Sequence, residues 1–226
     1  MKNLLSMEHL TNEEIIHILD RAQQFENGAP SQLTKSYNVA NLFFEPSTRT
    51  KTSFEMAERK IGCTVIPFDA GFSSALKGET MYDTVKTLEM IGLDAVVIRA
   101  KEDEYYNELL EGINVSVINA GDGAGQHPSQ SLLDLYTIRK EFGKFDNLNI
   151  TIVGDISHSR VAKSNATALK RLGANVRFMC PKEWAGDFEA YHSWDGILED
   201  SDVIMLLRIQ HERHAVSKSF SKDEYH

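Results

Sequence analysis

The sequence predicts an α/β protein made of two doubly wound parallel-sheet domains, the second incomplete. Three observations carry this expectation. Short apolar runs of strand length, at residues 39–44, 95–98 and 150–153, alternate with longer segments whose apolar residues recur at helical spacing. Glycines at 28, 62, 92, 143 and 173 close those helical segments, the usual position for a residue that adopts a left-handed conformation without strain. The alternation then begins afresh after Gly143, dividing the 226 residues into 1–142 and 143–226.

Each element has a local reason. Thr11-Asn12-Glu13-Glu14 is a capping box, and Ile15, Ile18, Leu19, Ala22 and Phe25 follow as the docking face of a helix that stops at Gly28. His9 and His17 beside it read as solvated surface. Residues 39–44 form a nearly continuous apolar strand that Pro46 breaks. Ser47 then caps a helix with Phe54, Ala57 and Ile61 on its inner face. A second strand at 64–68 runs into a polar, glycine-containing loop at 69–79, long enough to be a functional loop. Thr80 and Asp83 open a helix carrying Val85, Leu88 and Ile91, followed by a strand at 95–98 that ends on Arg99. A helix is expected at 102–110 and a fourth strand at 115–118, emptying into a glycine-rich stretch at 119–130. Pro128 suits the first position of the next helix, whose apolar residues include Leu132, Leu135 and Ile138. The second half repeats the scheme: a strand at 150–153, a turn at 154–160, a helix at 161–172, a strand at 176–179, a turn or short helix at 196–200, and a last strand at 203–207 ending on Arg208.

Composition narrows the function classes. Hydrophobic residues at 42% and charged residues at 25% are ordinary for a globular protein. Apolar runs are short, and the opening Met1-Lys2-Asn3-Leu4-Leu5-Ser6 soon turns polar, so a cytoplasmic protein without membrane contact is expected. The net charge of -9 repels nucleic acid. Cys63 and Cys180 are isolated, which argues against a disulfide framework or a cysteine zinc site. His211-Glu212-Arg213-His214 lacks metal-ligand spacing, and the turn after Val153 lacks the G-x-G-x-x-G spacing of a dinucleotide site. No metal and no cofactor are therefore expected.

The chemistry-bearing residues fall where an open α/β sheet binds ligands, beyond the carboxyl ends of its strands. Ser47, Thr48, Arg49 and Thr50 open a helix, whose first turn offers unpaired N–H groups and the positive end of the helix dipole to an anion. A guanidinium adds a planar fork of donors matched to phosphate oxygens. Arg99, His127, Arg160 and Arg208 also lie at or just after strand ends, and Lys77 follows a strand by way of its loop. This shared location predicts an anion-handling cleft between two domains.

Five stretches extend the reading. Phe43-Phe44-Glu45-Pro46-Ser47-Thr48-Arg49-Thr50, Lys77-Gly78-Glu79, the run from Gly121 through Gln126-His127-Pro128-Ser129-Gln130, Gly154-Asp155-Ile156-Ser157-His158-Ser159-Arg160, and Leu206-Leu207-Arg208-Ile209-Gln210 occur in this order over almost the whole chain. They closely resemble the motifs of bacterial-type aspartate carbamoyltransferase catalytic chains, within the aspartate/ornithine carbamoyltransferase superfamily. The resemblance implies transfer of a carbamoyl group from carbamoyl phosphate to L-aspartate in pyrimidine synthesis. It implies that Ser47, Thr48, Arg49, Thr50 and Arg99 hold the phosphate, that Thr50, Arg99 and His127 face the carbamoyl oxygen, and that Gln130 faces the carbamoyl amino group. Arg160, Arg208 and Gln210 would bind the carboxylates of aspartate. Ser73, toward carbamoyl phosphate, and Lys77, toward both substrates and with a catalytic part, would enter the active site of a neighbouring subunit, so a homotrimer with shared active sites is implied. The motifs leave the binding of regulatory chains undetermined.

Three departures from the family pattern accompany the match. Arg99 is followed by Ala100-Lys101 where the family usually has His-Pro or His-Ser, and Ser129 stands for the commoner threonine, keeping the hydroxyl. Family chains also continue through a His-Pro-Ala-Pro-like loop and a final helix, so a truncated member is expected, with a second sheet short of strands and part of the Ile15–Phe25 face uncovered. Two alternatives stand beside the main reading. One is ornithine carbamoylation, which shares the Ser-Thr-Arg-Thr phosphate site but has no use for Arg208 and Gln210 near a substrate amine. The other is an inactive truncated chain that only binds carbamoyl phosphate.

Overall fold

Parallel strands cannot be joined by tight turns and need crossover segments, and helices with one apolar face fill that role here. In the computed structural model the described residues are 2–70, 78–123 and 125–208. The first sheet holds β1 (Asn38–Phe43), β2 (Thr64–Ile66), β3 (Ala95–Ala100) and β4 (Ser116–Asp122), all parallel and ordered β2-β1-β3-β4. The second holds β5 (Asn149–Val153), β6 (Asn175–Met179) and β7 (Val203–Leu206), also parallel and ordered β6-β5-β7. The helices are α1 (Asn12–Glu26), α2 (Thr48–Ile61), α3 (Met81–Met90), α4 (Asn107–Leu110), α5 (Pro128–Phe142) and α6 (Arg160–Arg171). No described helix is long and apolar enough to cross a membrane.

Alternation along the strands of the first sheet sorts its two faces. Ala40, Leu42, Val96 and Ile98 pack with Val85 of α3 and Leu109 of α4 on one side. Val39 and Val97 pack with Phe54 of α2 on the other, so the sheet is covered on both faces. The outer edge of β4 is paired as well. Leu4 donates its N–H to the carbonyl of Val117 at 2.9 Å and accepts from the N–H of Asn119 at 2.7 Å. In the second sheet Ile150 and Ile152 face α6, meeting Leu169 and Ala162 respectively. One core cluster joins the halves of the chain: Ile15 and Leu19 of α1 and Leu135 and Ile138 of α5 pack with Phe145, Leu148 and Ile150.

The strand orders place the ligand-binding crevice. In the first sheet the chain adds β2 on one side of β1 and then crosses to add β3 on the other, so the connections that leave the carboxyl ends of β1 and β3 run in opposite directions. The second sheet does the same, with β6 and β7 on opposite sides of β5. Loops at those divergence points carry the cations singled out from the sequence.

Capping explains most boundaries. In α1 the Glu14 N–H donates to Thr11 Oγ1 at 3.2 Å and the Thr11 N–H to Glu14 Oε2 at 3.0 Å, and Thr80 and Asp83 repeat the device at α3. Gly62 and Gly143 end α2 and α5 with φ of 91° and 71°. The expected helix at 102–110 is a correction: only Asn107–Leu110 is helical. The Glu104 N–H donates instead to the buried carboxylate of Asp122 at 2.9 Å, with φ of 50° at Glu104, which holds the preceding residues in turns. β2 is shorter and β4 longer than the apolar runs suggested, because Gly121 and Asp122 continue the ladder. Phe25 is exposed at the end of α1.

The inner face of α2 is also corrected. Ala57 faces outward, and the buried residue beside it is Glu58, which accepts a hydrogen bond from Asn41 Nδ2 of β1 at 2.8 Å. Burial pushes the Glu58 pKa up. A carboxyl raised in the folded state adds stability while neutral and loses that contribution as pH rises through its folded pKa. We expect Glu58→Gln to raise Tm by roughly 2–4 °C at about pH 8, near 1 kcal/mol, and to leave Tm unchanged near pH 4. Paired melting curves at the two pH values check this.

Candidate functional site

The first turn of α2 is built for an anion. Ser47 occupies the N-cap position in extended conformation, yet its side chain does not cap the helix; its hydroxyl donates to Thr50 Oγ1 at 2.9 Å. No acidic residue lies in that first turn, so the positive end of the dipole is not offset locally. The backbone leading into it is fixed from β3, since the N–H groups of Phe44 and Glu45 point to the carbonyl of Arg99 at 2.9 and 3.3 Å.

Two guanidiniums meet beside this helix end. Arg99 leaves β3 and donates through Nη1 to the carbonyl of Ala120 at 3.1 Å. Arg160, at the start of α6, is only 5% exposed and donates through Nε to the carbonyl of Gly123. The Glu45 carboxylate ties them together: its Oε2 is 3.2 Å from Arg99 Nε and 2.9 Å from Arg160 Nη2. Gly121 makes the space. A Cβ there would lie 2.7 Å from Arg99 Nη1 and 3.0 Å from Arg160 Nη1, and its φ of 125° is one that L side chains rarely adopt. Ser159 caps α6 through the Ala162 N–H at 3.2 Å, which fixes where Arg160 emerges.

His127 stands at the N-cap of α5 with Pro128 at the first helical position. Its backbone N–H donates to Ser164 Oγ of α6 at 3.1 Å, and its Nδ1 lies 3.3 Å from Ser129 Oγ. Burial, reinforced by the positive charges of Arg99 and Arg160, lowers its pKa to about 3, so the ring is neutral at physiological pH. Asp122, fully buried, holds the approach to His127 by accepting the N–H groups of Glu104 and Gln126.

These groups share one cleft of about 870 Å³. Ser47, Arg49, Thr50, Arg99, His127, Gln130, Arg160 and Arg208 all line it: the first three from the start of α2, Arg99 from β3, His127 and Gln130 from the start of α5, Arg160 from α6 and Arg208 from just after β7. Thr48 is exposed and does not line it. Ser73, Lys77, Gln210 and the His211–His214 stretch lie outside the described residues. The wall also includes residues that sequence reasoning did not assign: Ser129 and Asp134 on α5, Leu206 at the end of β7 and Leu207 just after it. Glu45 was within a quoted motif but carried no role; an acid among four cationic or hydroxyl neighbours at a strand end was its available signal. Among the described residues no group of three or more His, Cys, Asp or Glu side chains is placed to hold a metal ion.

Comparison with known proteins places this geometry. Residues 2–140 match the family model for the aspartate/ornithine carbamoyltransferase carbamoyl-P binding domain. The chain is 54% identical over 233 aligned positions to the aspartate carbamoyltransferase catalytic subunit of Streptococcus thermophilus, covering all of this chain and 76% of that protein. It is 55% identical to the corresponding subunit of Staphylococcus carnosus, covering 75% of that one. Among solved structures, the catalytic subunit of M. jannaschii aspartate transcarbamoylase superposes with a TM-score of 0.81 at 37% identity, over 100% of this chain and 78% of that one. The Trypanosoma cruzi aspartate transcarbamoylase crystallised with carbamoyl aspartate and phosphate gives 0.80 at 30% identity, over 95% and 76%.

Two measurements probe the geometry. Gly121→Ala should displace both guanidiniums and lower the affinity for inorganic phosphate about tenfold or more, read by calorimetry. His127 ring resonances should stay constant from about pH 8 to pH 5 in NMR; a transition near the ordinary histidine value of about 6.5 would contradict the buried, arginine-flanked ring.

Proposed function

The chain belongs to the aspartate/ornithine carbamoyltransferase family, and we propose that it transfers the carbamoyl group of carbamoyl phosphate to L-aspartate, giving N-carbamoyl-L-aspartate and phosphate in pyrimidine synthesis. The observation that carries this is the convergence of the Ser47–Thr50 helix end with Arg99 and Arg160 in one cleft lined from both sheets. The relatives named above are aspartate enzymes, which favours aspartate over ornithine as the acceptor.

In this reading residues 1–142 bind carbamoyl phosphate and residues 143–226 supply the aspartate side. Ser47, Arg49, Thr50 and Arg99 receive the phosphate, and Thr48, whose side chain is outside the cleft wall, contributes only its backbone N–H at the start of α2. Arg160 and Arg208, with Gln210, take the carboxylates of aspartate, and Gln130 the carbamoyl amino group. The assembly is a homotrimer in which Ser73 and Lys77 reach a neighbouring cleft, a reading supported by the Lys77-Gly78-Glu79 motif, and its compartment is the cytoplasm, on the composition of the sequence.

Carbamoyl phosphate is a mixed anhydride, so it needs no covalent nucleophile. The aspartate amine attacks the carbonyl carbon, a C–N bond forms, and negative charge grows on the carbonyl oxygen. Thr50, Arg99 and His127 donate to that oxygen. Neutral His127 does so from Nε2 in the tautomer whose Nδ1 accepts from the Ser129 hydroxyl 3.3 Å away. Collapse breaks the bond from carbon to the bridging oxygen, and the departing phosphate takes the proton that the amine loses. Holding both anions in register in one cleft supplies much of the remaining rate.

The test is carbamoyl-aspartate formation with L-ornithine as a parallel acceptor. Product with aspartate alone is expected, with His127→Ala lowering kcat about 10²–10³-fold, the usual loss for one donor to a developing oxyanion. Product with ornithine, or none with either acceptor, would overturn the reading for this chain.

A further inference from the structure

We infer that Asp134 is a positioning residue that sets the amide of Gln130 so that its carbonyl oxygen, and not its amino group, meets the carbamoyl amino group. The inference deepens the proposed function and rests on it.

Gln130 and Asp134 are one helical turn apart on α5 and both line the cleft. Gln130 donates through Nε2 to Asp134 Oδ1 at 2.9 Å. The other carboxylate oxygen, Oδ2, accepts from Asn165 Nδ2 of α6 at 2.8 Å. With an amide donor on each oxygen, both oxygens of the carboxylate serve as acceptors. Burial raises the Asp134 pKa, and the two amide hydrogen bonds oppose that rise.

Both Asp134 oxygens are acceptors in these two contacts, so each amide that meets the carboxylate presents its NH2 end. Asn165 shows how firmly this is imposed: the residue is fully buried, and its Oδ1 is left without a hydrogen-bond partner while its Nδ2 serves Asp134. The same constraint on Gln130 commits Nε2 to Asp134 and leaves Oε1 for a ligand. A carbonyl oxygen accepts from the N–H of a carbamoyl group and has nothing to accept from the methyl of an acetyl group. Asp134 thereby confers selectivity for carbamoyl phosphate over acetyl phosphate without touching either. Because Asn165 lies on the helix that begins with Arg160, the same carboxylate ties this selectivity to the element carrying the aspartate-side arginine.

The experiment compares the affinities of carbamoyl phosphate, acetyl phosphate and inorganic phosphate for the parent chain, Asp134→Asn, Gln130→Met and the double variant. In Asp134→Asn the new amide can meet either end of Gln130. We expect the carbamoyl-to-acetyl affinity ratio to fall about tenfold there, the scale of one hydrogen bond in a selective pocket, with phosphate affinity held within about twofold. Gln130→Met should lower the ratio equally, and the double variant no further. An unchanged ratio in Asp134→Asn, or an additive loss in the double variant, overturns the inference. Should Asp134→Asn lose phosphate as well, Asp134→Ser is measured. Parallel loss of all three ligands in both variants assigns Asp134 a purely structural role and overturns the inference too. Turnover of the parent with aspartate, followed separately, reports on the proposed function alone.

Discussion

One carboxylate oxygen between two guanidiniums is the constraint on which the cleft depends. Arg99 lies on a strand of the first sheet and Arg160 opens the helix packed on the second, and like charges brought this close repel unless an opposite charge sits with them. Glu45 supplies that charge, and its own position is set by the Arg99 carbonyl through the N–H groups of Phe44 and Glu45. Gly121 then decides how near the two cations come. Four strand ends are thus held in mutual register by one acid and one missing side chain. The chain carries a net charge of -9, so the positive field that an anion meets exists only where this local arrangement concentrates it.

Much of the architecture was legible because it rests on short-range rules. The capping boxes at Thr11 and Thr80, the glycine stops, and the apolar runs of β1, β3 and β5 each depend on residues within a few positions of one another. Where the reading failed, a partner distant in sequence had intervened. The turn at 101–106 displaced a helix because Asp122 captures the Glu104 N–H, and Glu58 replaced an apolar residue on α2 because Asn41 offers it a donor. Periodicity has no access to such partners.

The cleft was legible to a similar depth. Cations at strand ends were visible, since a parallel sheet collects its strand ends on one side. The residues that orient them were not. Asp134 bears no distinguishing mark in a protein whose residues are 25% charged, and Glu45 and Ser129, though inside quoted motifs, show what they touch only when two helices or two sheets are brought together. The polar contacts between α5 and α6, from Ser164 to His127 and from Asn165 to Asp134, belong to the same class.

The anchoring of the N-terminal segment has a bearing on the order in which the molecule is made. Arg171, at the end of α6, donates to the carbonyls of Met7 at 3.0 Å and Leu10 at 2.6 Å, and Ile15 and Leu19 share a core with Ile150 and Leu169. During synthesis the first helix leaves the ribosome long before β5 and α6 exist to receive it. At about 5–20 residues added per second, its apolar face waits on the order of ten seconds for a partner. A segment translated well before its partners is therefore secured late, and until then its apolar face is open to chaperones that bind exposed apolar helices.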